Sequence, residues 1–112
     1  MLDSILDAIG GTPMVRMPPA FAPDVRCEIL IKLEFLNTGG STKDRMALHM
    51  VRMAEHRGEL KPGGSIVECS SGNTGFGLCM VAAARGYAIT IVMPDKMSRE
   101  KIGALQAMGA TV

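Results

Sequence analysis

The chain has 112 residues, a formal net charge of +1, 47% hydrophobic and 21% charged residues, and 4% aromatics. That length supports one small domain, and a balanced charge with no basic run excludes the electrostatic footprint of a nucleic-acid or anionic-membrane binder. No apolar run approaches the ~20 residues that span a bilayer, and Met1 to Gly10, which carries Asp3 and Asp7, lacks the basic start and apolar centre of a secretion signal.

In residues 2–9, Leu2, Ile5, Leu6 and Ile9 recur on one face of a short helix, and Gly10-Gly11 ends it. The phrase IGGTPMVRM follows and reads as a structural arm. Pro18, Pro19 and Pro23 then force a loop. Cys27 to Leu33, CEILIKL, is a β-rich apolar run expected to be a strand buried on one or both faces. From Thr42 to Arg57, the positions Met46, Ala47, Met50, Val51, Met53 and Ala54 have helical spacing, and Gly58 supplies the stop.

The loop GELKPGG leads into a strand at Ser65 to Cys69, then SSGNTG, then a helix from about Thr74 to Arg85 closed by Gly86. Tyr87 to Met93 reads as the next strand. Pro94 ends it, Ser98 caps a third helix with Ile102, Leu105 and Met108 on its apolar face, and Gly109 stops that helix before Ala110-Thr111-Val112 starts another strand. Strand and helix in alternation predict an α/β fold with a parallel sheet and right-handed crossovers. The sheet is short of strands for a parallel sheet covered on both faces, so the expectation is a fragment or truncated form of a larger fold, with apolar surface left for a partner.

The ten methionines, at helical spacing, are expected to fill the core. Cys27, Cys69 and Cys79 are odd in number and form no CxxC pair, so they read as reduced, mostly buried thiols of a cytoplasmic protein. His49 and His56 lie seven apart with no partner ligand between them, and no metal site is expected.

Two stretches carry chemistry. In KLEFLNTGGSTKDR, residues 32–45, Gly39 and Gly40 permit close approach, Ser41 and Thr42 are helix caps, and Lys43 falls in the first helical turn. Unpaired N–H groups there and the nearby Arg45 favour a nucleophilic amine of the kind that forms Schiff bases with carbonyl cofactors such as pyridoxal phosphate. The plainer alternative is a solvated lysine at a helix start. The second stretch, Ser70-Ser71-Gly72-Asn73-Thr74-Gly75, joins a strand's C-terminal end to a helix N-terminus, where open α/β sheets bind ligands. Its hydroxyls, glycines and helix N–H groups suit a carboxylate, and the Asn73 amide can donate to a phenolate oxygen. A ligand-free strand-to-helix turn is one alternative. A dinucleotide loop built on Gly72, Gly75 and Gly77 with Asp95 is another, but its glycine order is the reverse of GxGxxG and it leaves Lys43 unexplained.

As they stand, KLEFLNTGGSTKDR, ECSSGNTG and IGGTPMVRM resemble the cofactor-lysine segment, the EPTSGNTG loop and the IGNTPLVRL arm of the fold-type II pyridoxal-phosphate enzymes, the cysteine synthase and cystathionine β-synthase family. The GGS-x-KDR core is closer to cystathionine β-synthase, since cysteine synthases usually carry Pro where Thr38 stands. VMPDKMSREKIGALQAMGATV also resembles the family, so the likeness runs nearly end to end.

The resemblance implies a partial fold-type II fold, a three-layer αβα arrangement. Residues 1–41 would be an arm and strand of the larger domain, and 42–112 an incomplete small Rossmann-like domain. It implies that Lys43 binds pyridoxal 5'-phosphate covalently, Asn73 contacts the cofactor's ring hydroxyl, and Ser70, Ser71, Gly72 and Thr74 bind the substrate carboxylate. The implied reaction is β-replacement, with Lys43 as the base for the α-proton: serine plus homocysteine to cystathionine, or alternatively O-acetylserine plus sulfide to cysteine. A homodimer is implied for the full-length protein. The family's phosphate-binding loop and pyridine-nitrogen partner have no match before Val112, so the chain alone is expected to be poorly active. The alternative of another class is a catalytically inert α/β interaction module.

Overall fold

In the computed structural model, which describes residues 1–112, two short sheets are connected through a loop and the helix that Lys43 begins. β1 (Met14–Arg16) pairs antiparallel with β2 (Leu30–Lys32). After a single 3-10 turn and the glycine loop comes α1 (Lys43–His56). β3 (Ser65–Cys69), α2 (Asn73–Arg85) and β4 (Ala88–Val92) form a parallel βαβ unit, with Ser65 opposite Ala88 and Cys69 opposite Val92. α3 (Arg99–Ala107) follows, and Thr111 then bridges parallel to Thr90, so a third strand begins beside β4.

The core forms because each helix brings one apolar face to the same place. Ala47, Leu48 and Val51 of α1, Leu78, Val81 and Ala82 of α2, Ile89 and Ile91 of β4, and Leu105 of α3 are all buried in one cluster. A fully buried aliphatic side chain of this kind stabilises by about 1.5–3 kcal/mol relative to an exposed one. Ser98 caps α3 by accepting from the Lys101 N–H, and Gly86 ends α2 at φ 73°, a left-handed conformation a β-carbon would strain.

The strands alternate in burial. Ile89 and Ile91 face the helices, while Val67 (70% exposed) and Val92 (51%) lie on the opposite, bare face. Right-handed crossovers put α2 and α3 on one side of the sheet, and their mutual contact agrees.

α1 and α2 run side by side in the same direction, tied at their C-terminal ends. Arg85 donates to both Glu55 carboxylate oxygens at 2.8 and 3.0 Å, and the Tyr87 hydroxyl donates to Glu55 at 2.7 Å. The Glu55 carboxylate, accepting that hydroxyl, raises the Tyr87 pKa, with burial adding to the effect. No helix is long and apolar enough to cross a membrane.

The N-terminal third departs from the sequence expectations. The helix read at residues 2–9 is a single 3-10 turn, Ile5–Ala8, in which Ser4 accepts from Leu6 N–H and Asp7 accepts from Ser4 N–H. The strand expected at Cys27 to Leu33 contracts to Leu30–Lys32, and its residues are exposed because its only neighbour is β1. Cys27 and Cys69 are exposed, and only Cys79 is buried. Of the methionines, Met80 is buried, while Met14, Met46 and Met50 are among the exposed large side chains.

Candidate active site

The segment before Lys43 is held by a polar network that ties three parts of the chain. Glu34, at the start of the turn after β2, accepts from Arg45 Nε and an Arg45 terminal nitrogen, each at 2.9 Å. It also accepts from the Thr12 hydroxyl at 2.6 Å and the Asn37 amide at 2.7 Å. Arg45 donates to Thr12 as well, the Lys32 ammonium donates to the Thr12 carbonyl and hydroxyl, and the Asn37 side-chain oxygen accepts from Gly10 N–H. The Arg45 hydrogen bonds first, then Thr12, hold the Glu34 carboxyl down to about 2. Arg45 is therefore neutralised by Glu34 and turned back along the loop, rather than acting as a free charge beside Lys43.

Asp44 does the same from the other side. Its carboxylate is 1% exposed and accepts from Gly39 N–H at 2.6 Å, while its second oxygen has no partner. A β-carbon on Gly39 would lie 2.6 Å from that second oxygen, so glycine is required there by close approach. The cap of α1 is Ser41, whose hydroxyl accepts from Lys43 N–H at 3.1 Å; Thr42, read as a cap beside it, makes no side-chain hydrogen bond. Lys43 itself is exposed, and its ammonium nitrogen bonds to nothing in the chain.

The second stretch lies where the sequence places it, between the end of β3 and the start of α2. Ser70 is occupied within the loop: its hydroxyl accepts from Gly72 N–H at 3.3 Å and Gly75 N–H at 3.1 Å. Ser71 and Asn73 are exposed, Thr74 is half-buried, and none of their side chains has a protein partner. The backbone N–H groups of Ser71, Asn73 and Thr74 likewise donate to no group of the chain. A β-carbon added at Gly72 would meet nothing within 4 Å, so the approach to these amides is open. Of the three glycines of the dinucleotide alternative, Gly77 is committed to tight packing, Gly75 has room for ordinary contact and Gly72 is open. A β-carbon on Gly75 would lie 3.4 Å from Ser70 Cβ, and one on Gly77 3.0 Å from Ala47 Cβ.

Gly77 also brings the two stretches together. A β-carbon there would lie 3.2 Å from the Lys43 carbonyl oxygen, so α2 crosses the start of α1 one turn beyond Asn73, about 6 Å along the helix axis. The two helix N-termini, one bearing Lys43 and the other Asn73, therefore open on the same end of the helix pair, and their partial positive charge favours an anion. Three surface concavities of about 230–280 Å³ lie away from Lys43 and Asn73. The network around Glu34 has no signal in the sequence beyond Arg45 itself, because its members are spread from Gly10 to Arg45.

An unpartnered lysine at one helix start and open amides at another, at the C-terminal end of a parallel strand, make the layout of an α/β ligand-binding protein. The chain belongs to the pyridoxal-phosphate dependent enzyme family, which it matches over residues 5–112. It is similar to cystathionine beta-synthase of Apis mellifera, 52% identical over 115 residues that take in all of this chain and 22% of the relative. It is equally similar to a probable cysteine synthase of Bacillus subtilis (strain 168), 52% identical over 95% of this chain and 34% of that protein. The crystal structure of O-ureido-L-serine synthase superposes with a TM-score of 0.91 at 50% identity, over 99% of this chain and 34% of that one. The chain thus spans about a fifth to a third of the length of these relatives. The fold is accordingly α/β with a parallel sheet and helices, and it matches part of the fold-type II architecture.

Proposed function

We propose that this chain supplies the reactive lysine and the carboxylate loop of a pyridoxal-phosphate dependent enzyme that replaces the β-substituent of serine or an activated serine with a thiol or sulfide. The observation that carries it is the pairing of helix starts: the unpartnered Lys43 amine beside the unpartnered amides and side chains of Ser71, Asn73 and Thr74, with open space over Gly72. Those residues fit a group that presents an aldehyde to an amine and an oxygen to an amide donor. Pyridoxal phosphate, when bound, supplies that aldehyde and a ring able to store an electron pair.

The chain's own residues have distinct tasks. Lys43 Nζ holds the cofactor and, when free of it, accepts the α-proton as general base. Asn73 donates its side-chain amide to the ring oxygen. The substrate carboxylate docks on the N–H groups of Ser71, Asn73 and Thr74 and on the Ser71 and Thr74 hydroxyls, where the α2 N-terminus favours negative charge. Gly72 leaves the carboxylate room, and Ser70 shapes the loop by accepting two of its amides.

Within that class, similarity to cystathionine beta-synthase over the whole of this chain supports serine and homocysteine as the substrates. O-acetylserine and sulfide are the alternative, favoured by the cysteine synthase likeness. The same reading carries a homodimeric cytoplasmic enzyme in which residues 1–41 belong to the larger domain and 42–112 to the smaller.

The test is direct: mix the protein with pyridoxal phosphate, reduce with borohydride and map the adduct by peptide mass. We expect the label on Lys43 in excess of Lys32, Lys61, Lys96 and Lys101. Equal labelling of all the lysines would instead support an inert module.

A further inference from the structure

The two residues that follow the reactive amine suggest how it is aimed. Asp44 and Arg45 follow Lys43 directly, yet both side chains turn back over the loop that precedes it. Asp44 is buried and reaches Gly39; Arg45 reaches Glu34 with two nitrogens and Thr12 with one of the same pair. Leu33 to Thr42 is the whole connection from β2 to α1, so Glu34 near its start and Gly39 farther along are both fastened to the first turn of the helix it enters. Lys43 is left as the unfastened side chain immediately ahead of two fastened ones.

We propose that the Glu34–Arg45 pair is a positioning device for Lys43. It fixes where the backbone of Lys43 stands relative to Asn73, so that only the lysine side chain moves when the amine changes between holding the cofactor and taking a proton. This rests on the function proposed above. Three features support a positioning role over general stabilisation. The pair is bidentate and therefore directional. Its acceptor carries two further donors, Thr12 and Asn37, that leave the carboxylate no freedom to rotate. And it sits at the Lys43 end of α1, while a separate cluster, Glu55 with Arg85 and Tyr87, anchors the opposite end.

The experiment compares borohydride-fixed adduct at Lys43 in the wild-type protein with that in Glu34→Gln, Arg45→Lys and Tyr87→Phe. Melting temperature is measured on each, along with the visible absorbance of the cofactor before reduction. Glu34→Gln keeps the shape but removes the charge; Arg45→Lys keeps the charge but loses the fork; Tyr87→Phe loosens the far end of the same helix pair. Because sub-ångström placement of a reacting group carries large rate effects, the first two should lower the share of label on Lys43 relative to the other lysines by about tenfold. They should also shift the absorbance, while Tyr87→Phe leaves both unchanged at a comparable fall in melting temperature.

If all three variants lose label only in step with melting temperature, or if Glu34→Gln and Arg45→Lys label like wild type, the positioning role is overturned. If the wild-type protein itself shows no preference for Lys43, the proposed function fails instead, so the two failures are told apart.

Discussion

Gly77 of α2 lies against the backbone carbonyl of Lys43 at the start of α1, and a β-carbon there would lie 3.2 Å from that oxygen and 3.0 Å from Ala47 Cβ. Any larger side chain at this position must push the two helix starts apart.

Gly77→Val should destabilise the fold by about 1–3 kcal/mol through overpacking, and should lower the capture of pyridoxal phosphate at Lys43 by widening its distance from Asn73. Gly77→Ala should be close to neutral, because the helix-propensity gain of about 1 kcal/mol offsets the contact. Gly103 in α3 is the matched control. A β-carbon there meets nothing within 4 Å, so Gly103→Ala should stabilise by about 0.5–1 kcal/mol. Thermal or urea unfolding of the three variants checks the ranking.

Gly39→Ala should destabilise by about 1–3 kcal/mol, since its β-carbon would overlap the buried Asp44 carboxylate at 2.6 Å and break the Gly39 N–H bond. Asp44→Ala relieves the overlap, so the double variant should be less destabilised than the sum of the two single ones. Additive losses in a double-mutant cycle would contradict the contact.

Acid should uncouple the N-terminal arm. The folded Glu34 carboxyl sits at about 2, below its ordinary value of 4.5. A depressed carboxyl contributes stability that is complete above about 4.5 and is lost as pH falls toward 2. Melting temperature should therefore fall over that window in the wild-type protein and fall less steeply in Glu34→Gln. Identical profiles would remove Glu34 from the account.

The cysteines should divide two to one. Burial pushes the Cys79 thiol up to about 11, whereas Cys27 and Cys69 are exposed. Iodoacetamide at pH 8 should label Cys27 and Cys69 in the native protein and reach Cys79 only in denaturant. The sign for stability is the reverse of Glu34's: a raised thiol contributes fully below 9.0 and is lost as pH climbs toward 11.

The C-terminal two-thirds was legible because local signals decide it. Ser65–Cys69 is a strand at its expected bounds, and α1, α2 and α3 end next to Gly58, Gly86 and Gly109, where the apolar periodicity stops. The first third was not, because its partners are remote. β2 is short and exposed since only Met14–Arg16 pairs with it, and nothing in CEILIKL announces an antiparallel neighbour. Lys43 and the SSGNTG loop stand out in the sequence as short contiguous motifs, and both lie at helix starts in the structure. Arg45 was misjudged as a field acting on Lys43 because its true partner, Glu34, lies eleven residues back, and Thr12 farther still. The bonds that the Ser70 hydroxyl accepts from the Gly72 and Gly75 amides of its own loop likewise carry no signal in the sequence.

The crowding of three different surroundings into Lys43-Asp44-Arg45 makes their order matter. An unpartnered amine, a buried carboxylate and an anchored guanidinium occupy three successive residues, so the order of the triplet carries information that its composition does not. Exchanging Lys43 with Asp44 would conserve charge and helix propensity alike, yet it would drop an ammonium into a pocket shaped for a carboxylate and leave the amine facing the wrong way.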